Sequence, residues 1–197
     1  MIIHDVKQGS SEWDLLRAGK FTASNFSKLF MATTTKGYND LINSIVYSRI
    51  TGEQPESFTN DWMERGKQLE PEAIEAYELL NFKRVERIGF VEKSEWVGCS
   101  PDGFIGTQGM IQVKCPKHTT LIEYCLEKKV PKDYLYQMQG EMMVCDREWN
   151  DFFVYPPKLK PLTIRVMRDE KIINEIQAQL EIAINKVEAT IKCLKEQ

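Results

Sequence analysis

The chain has 197 residues, which suits a single domain with a sizeable core, and its composition is that of an ordinary globular protein. The formal net charge of −3 argues against a protein that coats nucleic acid with a basic surface. No apolar run approaches the roughly 20 residues that cross a bilayer. The first five residues lack the basic and apolar regions of a signal peptide, so we expect a cytoplasmic protein that does not contact a membrane.

The cysteines and cations narrow the possible sites further. The five cysteines are odd in number and include no Cys-x-x-Cys pair, which argues against a disulfide framework or an iron–sulfur cluster. Cys115 and His118 have a possible ligand spacing, but no second pair accompanies them, so zinc is not expected. A nucleic-acid enzyme remains compatible with the acidic balance if its cations line one channel. Candidates for that channel are Arg17, Lys20, Lys28, Lys67, Lys114 and Lys117.

The first 80 residues are predicted to be helical. Capping residues and apolar periodicity predict helices at 10–18, 22–30, 39–51 and 60–80, where Ser10, Thr22, Asn39 and Asn60 are the capping positions. Polar loops are predicted at 31–36 and 52–58. Pro71 lies inside the last helix and predicts a kink or break beside Glu70.

The rest of the chain alternates strands with helices. Strands are predicted at 84–92, 96–100, 103–105, 110–115, 151–155 and 162–167. Helices are predicted at 119–128, at 131–144, and from a cap at Asp169 to about residue 196. There is no repeat or linker, so we expect one α/β domain over 1–197.

The densest chemistry lies between Ser100 and Pro116. A Pro-Asp-Gly turn delivers Asp102, and about ten residues later an apolar run carries Gln112 and Lys114. Side chains two apart on a strand share one face, so Gln112 and Lys114 point the same way and Val113 points opposite. Mg²⁺ prefers oxygen ligands and usually takes one or two carboxylates. A carboxylate, an amide oxygen and an ammonium group on neighbouring strands therefore indicate a magnesium-dependent site that cleaves phosphodiesters.

Five ordered motifs resemble those of the lambda exonuclease branch of the PD-(D/E)xK nucleases, which includes the YqaJ-type viral recombinases. In chain order they are Trp13-x-x-Leu16-Arg17-x-Gly19-x-Phe21-Thr22-Ala23-Ser24, Gly66-Lys67-Gln68-Leu69-Glu70, Cys99-Ser100-Pro101-Asp102-Gly103, Val113-Lys114-Cys115-Pro116 and Tyr134-x-x-Gln137-x-Gln139. The resemblance runs through most of the chain. It implies a restriction-endonuclease-like fold, α/β with a central mixed sheet flanked by helices.

The resemblance also implies an activity and partners. The implied activity is that of a 5′-to-3′ exonuclease on double-stranded DNA ends. It would release mononucleotides and leave a 3′ overhang for recombination by strand annealing. The implied cofactor is Mg²⁺, with two ions per site, and Mn²⁺ can replace it. A toroidal homotrimer around DNA, a single-strand annealing protein as partner and a phage or prophage origin in a bacterial host are implied as well.

The family motifs assign a metal-binding role to several positions. Asp102 would bridge both metal ions, and Gln112 with the main-chain carbonyl of Val113 would complete the shell of one of them. Glu70 would reach the second ion through water. Lys114 would hold the attacking water or the scissile phosphate.

Other motif residues are implied to contact DNA. Gln137 would contact the phosphate or the nucleophilic water, and Tyr134 lies one helical turn earlier on the same face. Arg17, Ser24 and Ser100 resemble a pocket for the 5′-phosphate of DNA, where the planar fork of an arginine can donate two parallel hydrogen bonds.

Gln112 departs from the family pattern, which usually has Glu there. A neutral amide oxygen binds a hard cation more weakly than a carboxylate does. Three explanations are open: the family tolerates Gln and Glu70 supplies the charge, the change was introduced deliberately to trap substrate, or activity is lost. Two alternatives to the exonuclease follow. One is a catalytically weakened or inactive DNA-end-binding relative, and the other is a structure-specific endonuclease of the same superfamily.

Overall fold

The computed structural model describes residues 1–55 and 61–196. The helices are α1 Ser11–Arg17, a 3₁₀ helix Ala23–Phe30, α2 Lys36–Thr51, α3 Asp61–Asn81, α4 His118–Glu127, α5 Lys132–Cys145 and α6 Glu170–Lys195. The strands are β1 Ile2–His4, β2 Phe21–Thr22, β3 Phe90–Glu92, β4 Val97–Cys99, β5 Gly103–Ile105, β6 Gly109–Lys114, β7 Trp149–Val154 and β8 Leu162–Met167. The predicted α/β class is confirmed.

The strands form two mixed four-stranded sheets, with the orders β1-β3-β4-β2 and β5-β6-β7-β8. In the second sheet β6 pairs antiparallel with β5 and parallel with β7. Strand β4 ends at Cys99 and β5 begins at Gly103, so the intervening residues 100–102 carry the chain from the first sheet into the second. The Pro-Asp-Gly turn therefore lies at the junction of the two sheets.

Helices cover both faces of the second sheet. Ala73 and Tyr77 of α3 pack with Val113 on one face, and Met138 of α5 packs with Phe152 on the other. A larger core joins the first sheet to the 3₁₀ helix, α2, α5 and α6. A Cβ at Gly140 would lie 2.3 Å from the ring of Phe26, so α5 and the 3₁₀ helix approach this closely only because position 140 has no side chain.

Several helix and strand boundaries in the structure differ from the predicted ones. Thr35, not Asn39, caps α2, and its hydroxyl accepts the Tyr38 N–H. Helix α3 is continuous through Pro71, so the predicted break beside Glu70 is absent; packing of α3 on the sheet outweighs the roughly 3 kcal/mol that an interior proline costs. The predicted strand 84–92 is ordered as a strand only at Phe90–Glu92. The capping prediction for Asn60 and the end of the 52–58 loop lie outside the described residues.

The short strands β1 and β2 were not predicted. Each has three residues or fewer and gains its order from pairing with a strand distant in sequence, which local pattern does not reveal. In the described parts of the chain, no helix has the length and apolar character that a bilayer crossing requires.

Candidate active site

Asp102 is held in place by two donors from β6. Its Oδ2 atom accepts a hydrogen bond from the Gln112 side-chain amide at 2.6 Å and another from the Val113 main-chain N–H at 2.6 Å. The sheet junction therefore brings Asp102 onto the edge of the strand that carries Gln112 and Lys114, as the sequence predicts.

The alternation predicted for β6 is confirmed. Val113 packs against α3, whereas Gln112 and Lys114 face α5, where the Lys114 ammonium lies 4.6 Å from the centre of the Tyr134 ring. A cavity of about 610 Å³ opens at the end of this strand and is lined by Asp102, Lys114 and Tyr134 among others. Four predicted site residues on three elements thus surround or adjoin one cavity.

Glu70 reaches the same cavity from α3. Its Oε1 atom accepts a hydrogen bond of 2.6 Å from Arg87. Glu70 forms this ion pair from a helix that continues unbroken through Pro71. Burial and then the charge of Asp102 raise the pKa of Glu70, and Arg87 and Lys114 oppose that rise. The charge of Asp102 therefore disfavours the ionised form of Glu70.

The electrostatics at Asp102 follow the same pattern. Burial raises the pKa of Asp102, and the positive charge of Lys114 and the Val113 N–H work against that rise. Two acids with raised pKa values in one cavity are the arrangement that a bound cation would relieve.

The donors around this cavity fit a hard cation. The carboxylates of Asp102 and Glu70 supply oxygens to the cavity, Val113 also lines it, and the buried Gln112 amide adjoins Asp102. Within residues 1–55 and 61–196 no group of three or more His, Cys, Asp and Glu side chains converges on a metal position. The set therefore suits Mg²⁺, which completes its shell with water and substrate phosphate, better than a metal that needs an all-protein cage.

Gln137 contacts the site through Gln112. Its Nε2 donates to the Gln112 Oε1 at 2.6 Å and also to the Glu141 Oε1 at 2.9 Å. The sequence reasoning missed Glu141, which is only 1% exposed. The available signal was its spacing of four residues from Gln137 on one helix, which puts both side chains on the same face.

The structure brings together two of the three residues predicted to hold a 5′-phosphate. Arg17 donates to the Ser100 hydroxyl at 3.2 Å, and Trp13, which was not singled out, donates to the same oxygen at 2.8 Å while its ring lies 4.0 Å from the Arg17 guanidinium. Burial lowers the pKa of Arg17. Ser24 is exposed and pairs instead with Thr22 at 3.2 Å. The structure thus joins Arg17 to Ser100 and leaves Ser24 outside their hydrogen-bond group.

A second cavity of about 430 Å³ lies beside the first and shares two lining residues with it. Trp13 lines it, and Lys67 and Glu70 line both this cavity and the first. Of the cations proposed to line one channel, Lys67, Lys114 and Lys117 line the first cavity. Lys20 is instead paired with Glu92 at 3.1 Å and lines neither cavity.

Solved structures of exonucleases have the same fold as this chain. The alkaline exonuclease LHK-Exo from Laribacter hongkongensis is 31% identical, with a TM-score of 0.88 over 95% of this chain and 97% of that one. Its complex with dAMP is 32% identical, with a TM-score of 0.89 over the same shares. A phage-related exonuclease from Haemophilus somnus 129PT, at 17% identity, has the same fold, with a TM-score of 0.72 over 89% of this chain and 96% of that one. No curated protein sequence matches the chain.

The fold is thus that of the alkaline exonucleases, a class of nuclease. The profile of the YqaJ-like viral recombinase domain matches residues 12–148. The chain belongs to the YqaJ-like viral recombinase domain family, as its five motifs predicted.

Proposed function

We propose that this chain is a metal-dependent exonuclease that degrades double-stranded DNA from a 5′ end and leaves a 3′ single-stranded overhang. The observation that carries the proposal is the proximity of two sites along the chain. Ser100, which accepts hydrogen bonds from Arg17 and Trp13, lies two residues before Asp102. A group suited to a terminal phosphate thus adjoins the acid of the cavity, an arrangement that a nuclease acting within a strand does not need.

Mg²⁺ is the proposed cofactor, with two ions per site and Mn²⁺ as a substitute. Asp102, Glu70, Gln112 and the Val113 carbonyl are the residues that would hold the ions. When bound, such ions lower the pKa of a water molecule and stabilise the leaving oxygen of an in-line displacement. Gln112 can contribute only the free lone pair of its Oε1, because Gln137 already donates to that atom.

The remaining roles belong to side chains of β6 and α5. Lys114 would orient the attacking water or hold a phosphate oxygen, and the Tyr134 ring beside its ammonium limits where that charge can lie. Gln137 would contact the phosphate or the water. Arg17 would hold the 5′-phosphate with its planar fork.

The family resemblance supports three further proposals. The protein would act as a homotrimeric ring, which would keep DNA enclosed during successive cuts. It would work with a single-strand annealing protein on the overhang. Its setting would be a phage or prophage in a bacterial host.

The activity is tested with end-labelled linear DNA and the same DNA as a closed circle, with Mg²⁺, with Mn²⁺ and with EDTA. We expect mononucleotide release from the linear form with either cation, no cutting of the circle and no activity in EDTA. Cutting of the closed circle would instead identify an endonuclease of the same superfamily.

Gln112 favours a second candidate, a DNA-end-binding relative with little or no catalysis. Its amide nitrogen, not its oxygen, faces Asp102. Calorimetric titration with Mg²⁺ and Mn²⁺ separates the candidates. Binding of DNA ends without any cation binding or cleavage would select this one.

Arg17→Ala is expected to remove most of the preference for 5′-phosphorylated over 5′-hydroxyl ends, because the guanidinium is the charged donor of the Ser100 group. The rate ratio for the two ends should fall by at least about tenfold, the lower end of the 1.5–3 kcal/mol of a hydrogen bond to a charged group. Lys28→Ala removes another half-buried cation, one that does not donate to Ser100, and is the matched control. Equal ratios in Arg17→Ala and the parent would exclude Arg17 from the phosphate pocket.

A further inference from the structure

A continuous chain of hydrogen bonds runs from the buried side of α5 to Asp102. Asn150 donates to Glu141 Oε2 at 3.0 Å, and Gln137 donates to Glu141 Oε1 at 2.9 Å. Gln137 also donates to Gln112 at 2.6 Å, and Gln112 donates to Asp102 at 2.6 Å. Two glutamine amides therefore link the carboxylate of Glu141 to that of Asp102, and Asn150 donates to Glu141 from its other side.

The two carboxylates determine which way each amide points. An amide has a donor end and an acceptor end, whereas an ionised carboxylate only accepts. Glu141 takes the donor end of Gln137, and Asp102 takes the donor end of Gln112. The Gln112 oxygen is thereby directed to Gln137. Without the carboxylate at 141, the Gln112 oxygen is the one acceptor in the described residues that holds the Gln137 amide in this orientation.

Glu141 is an unusual group to bury. It is 1% exposed, and in the described residues no lysine or arginine forms an ion pair with it; its hydrogen-bond partners are two neutral amides. Burial and then the charge of Asp102 raise the pKa of Glu141 to about 8. A buried acid that is paired only with amides destabilises the fold when ionised, so its presence calls for a role in the adjoining site.

We propose that Glu141 is a positioning residue of the active site: acting through Gln137, it helps to hold Gln112 in its orientation beside Asp102 and, when ionised, supplies from α5 the negative charge that the amide at position 112 lacks. The inference rests on the proposed function. It goes beyond that function because it places a carboxylate that strengthens cation binding on a helix behind the site rather than at the cavity wall.

Glu141→Gln isolates the charge from the hydrogen bonds. The new Oε1 can accept from Gln137 as before. Its new amide N–H₂ would face the N–H₂ of Asn150. The side-chain amide of Asn150 can flip so that its Oδ1 accepts from the new group, because that buried oxygen has no partner in the described structure. The variant should therefore fold with the Gln137 orientation kept and only the charge removed.

The experiment is a calorimetric titration of the DNA-free protein with Mg²⁺ at about pH 9, where the parent Glu141 is ionised. We expect Glu141→Gln to weaken Mg²⁺ binding by about tenfold, the lower end for loss of a group behind a metal ligand. Asp133→Asn removes an exposed carboxylate from the first turn of the same helix and should bind as the parent does.

The effect should disappear in acid. At about pH 6 parent Glu141 is protonated, so parent and variant should bind Mg²⁺ with affinities within about twofold. Asp102, Lys114 and Cys99 are the other titratable groups that face Glu141, and all three are the same in parent and variant. A fall of the affinity ratio toward one as Glu141 is protonated therefore reports the charge at position 141, whereas a purely structural role would leave that ratio constant.

Moving the charge supplies the second measurement. Gln112→Glu combined with Glu141→Gln returns one carboxylate to the site, and its Mg²⁺ affinity should lie within about threefold of the parent's. If Glu141→Gln fails to fold, Gln137→Met interrupts the chain at its middle and should weaken Mg²⁺ binding by about tenfold.

The outcomes separate the two proposals. A parent that binds no Mg²⁺ overturns the proposed function and this inference with it. A parent that binds Mg²⁺ while Glu141→Gln binds equally well at about pH 9 overturns the inference alone. A double variant that binds Mg²⁺ no better than Glu141→Gln alone also overturns it.

Discussion

Asp102→Asn is expected to lower the rate of DNA degradation by about a thousandfold, the equivalent of the several kcal/mol that a bound metal contributes to charge stabilisation. The fold should survive. The asparagine oxygen can replace Oδ2 as acceptor for the Gln112 amide and the Val113 N–H. Because burial raises the pKa of Asp102, the neutral replacement should also be at least as stable as the parent to heat without metal.

The measurement pairs single-turnover degradation of linear DNA with a melting curve recorded in EDTA. Asp133→Asn on the exposed first turn of α5 is the control for loss of a carboxylate, and it should retain the parent rate. A rate for Asp102→Asn within about tenfold of the parent's would exclude Asp102 from the chemistry.

Lys114→Met is expected to lower the same rate by at least about a hundredfold, the range found for groups that transfer or orient a proton in the transition state. Methionine keeps most of the apolar stem and removes the ammonium, so packing against Tyr134 should be preserved. DNA binding should weaken by much less than the rate, because one ammonium supplies only a small part of the total phosphate attraction.

Tyr134→Phe is the matched control for that result. It keeps the ring face that lies 4.6 Å from the Lys114 ammonium and removes only the hydroxyl. We expect a rate within about threefold of the parent's. A Lys114→Met variant that cuts as fast as Tyr134→Phe would assign Lys114 to the solvated surface.

The sequence predicted the parts of the site that depend on short-range geometry. Alternation along β6 places Gln112 and Lys114 on one face, and the turn at Asp102 brings a carboxylate to the neighbouring strand. Both follow from the two-residue period of a strand and from a tight turn, which a local pattern encodes directly.

The parts that were missed depend on contacts between distant segments. Glu141 looks like any polar residue of a helix until α5 is packed against β6 and β7, where Gln137 and Asn150 enclose it. Trp13 becomes a donor to Ser100 only when α1 lies over the sheet junction, 87 residues away in sequence. The continuous helix at Pro71 has the same origin, because tertiary packing overrides a local preference.

The connection between the two sheets also has a consequence for the size of the product. Ser100 and Asp102 are separated by a single proline, and two residues of extended backbone span at most about 7 Å. Under the proposed function, covalent geometry alone would then set a constant interval between the gripped end of a strand and the bond that is cut. The fragment released at each cut would then have one fixed length. Lengthening the connection between Ser100 and Asp102 by one residue should alter that length.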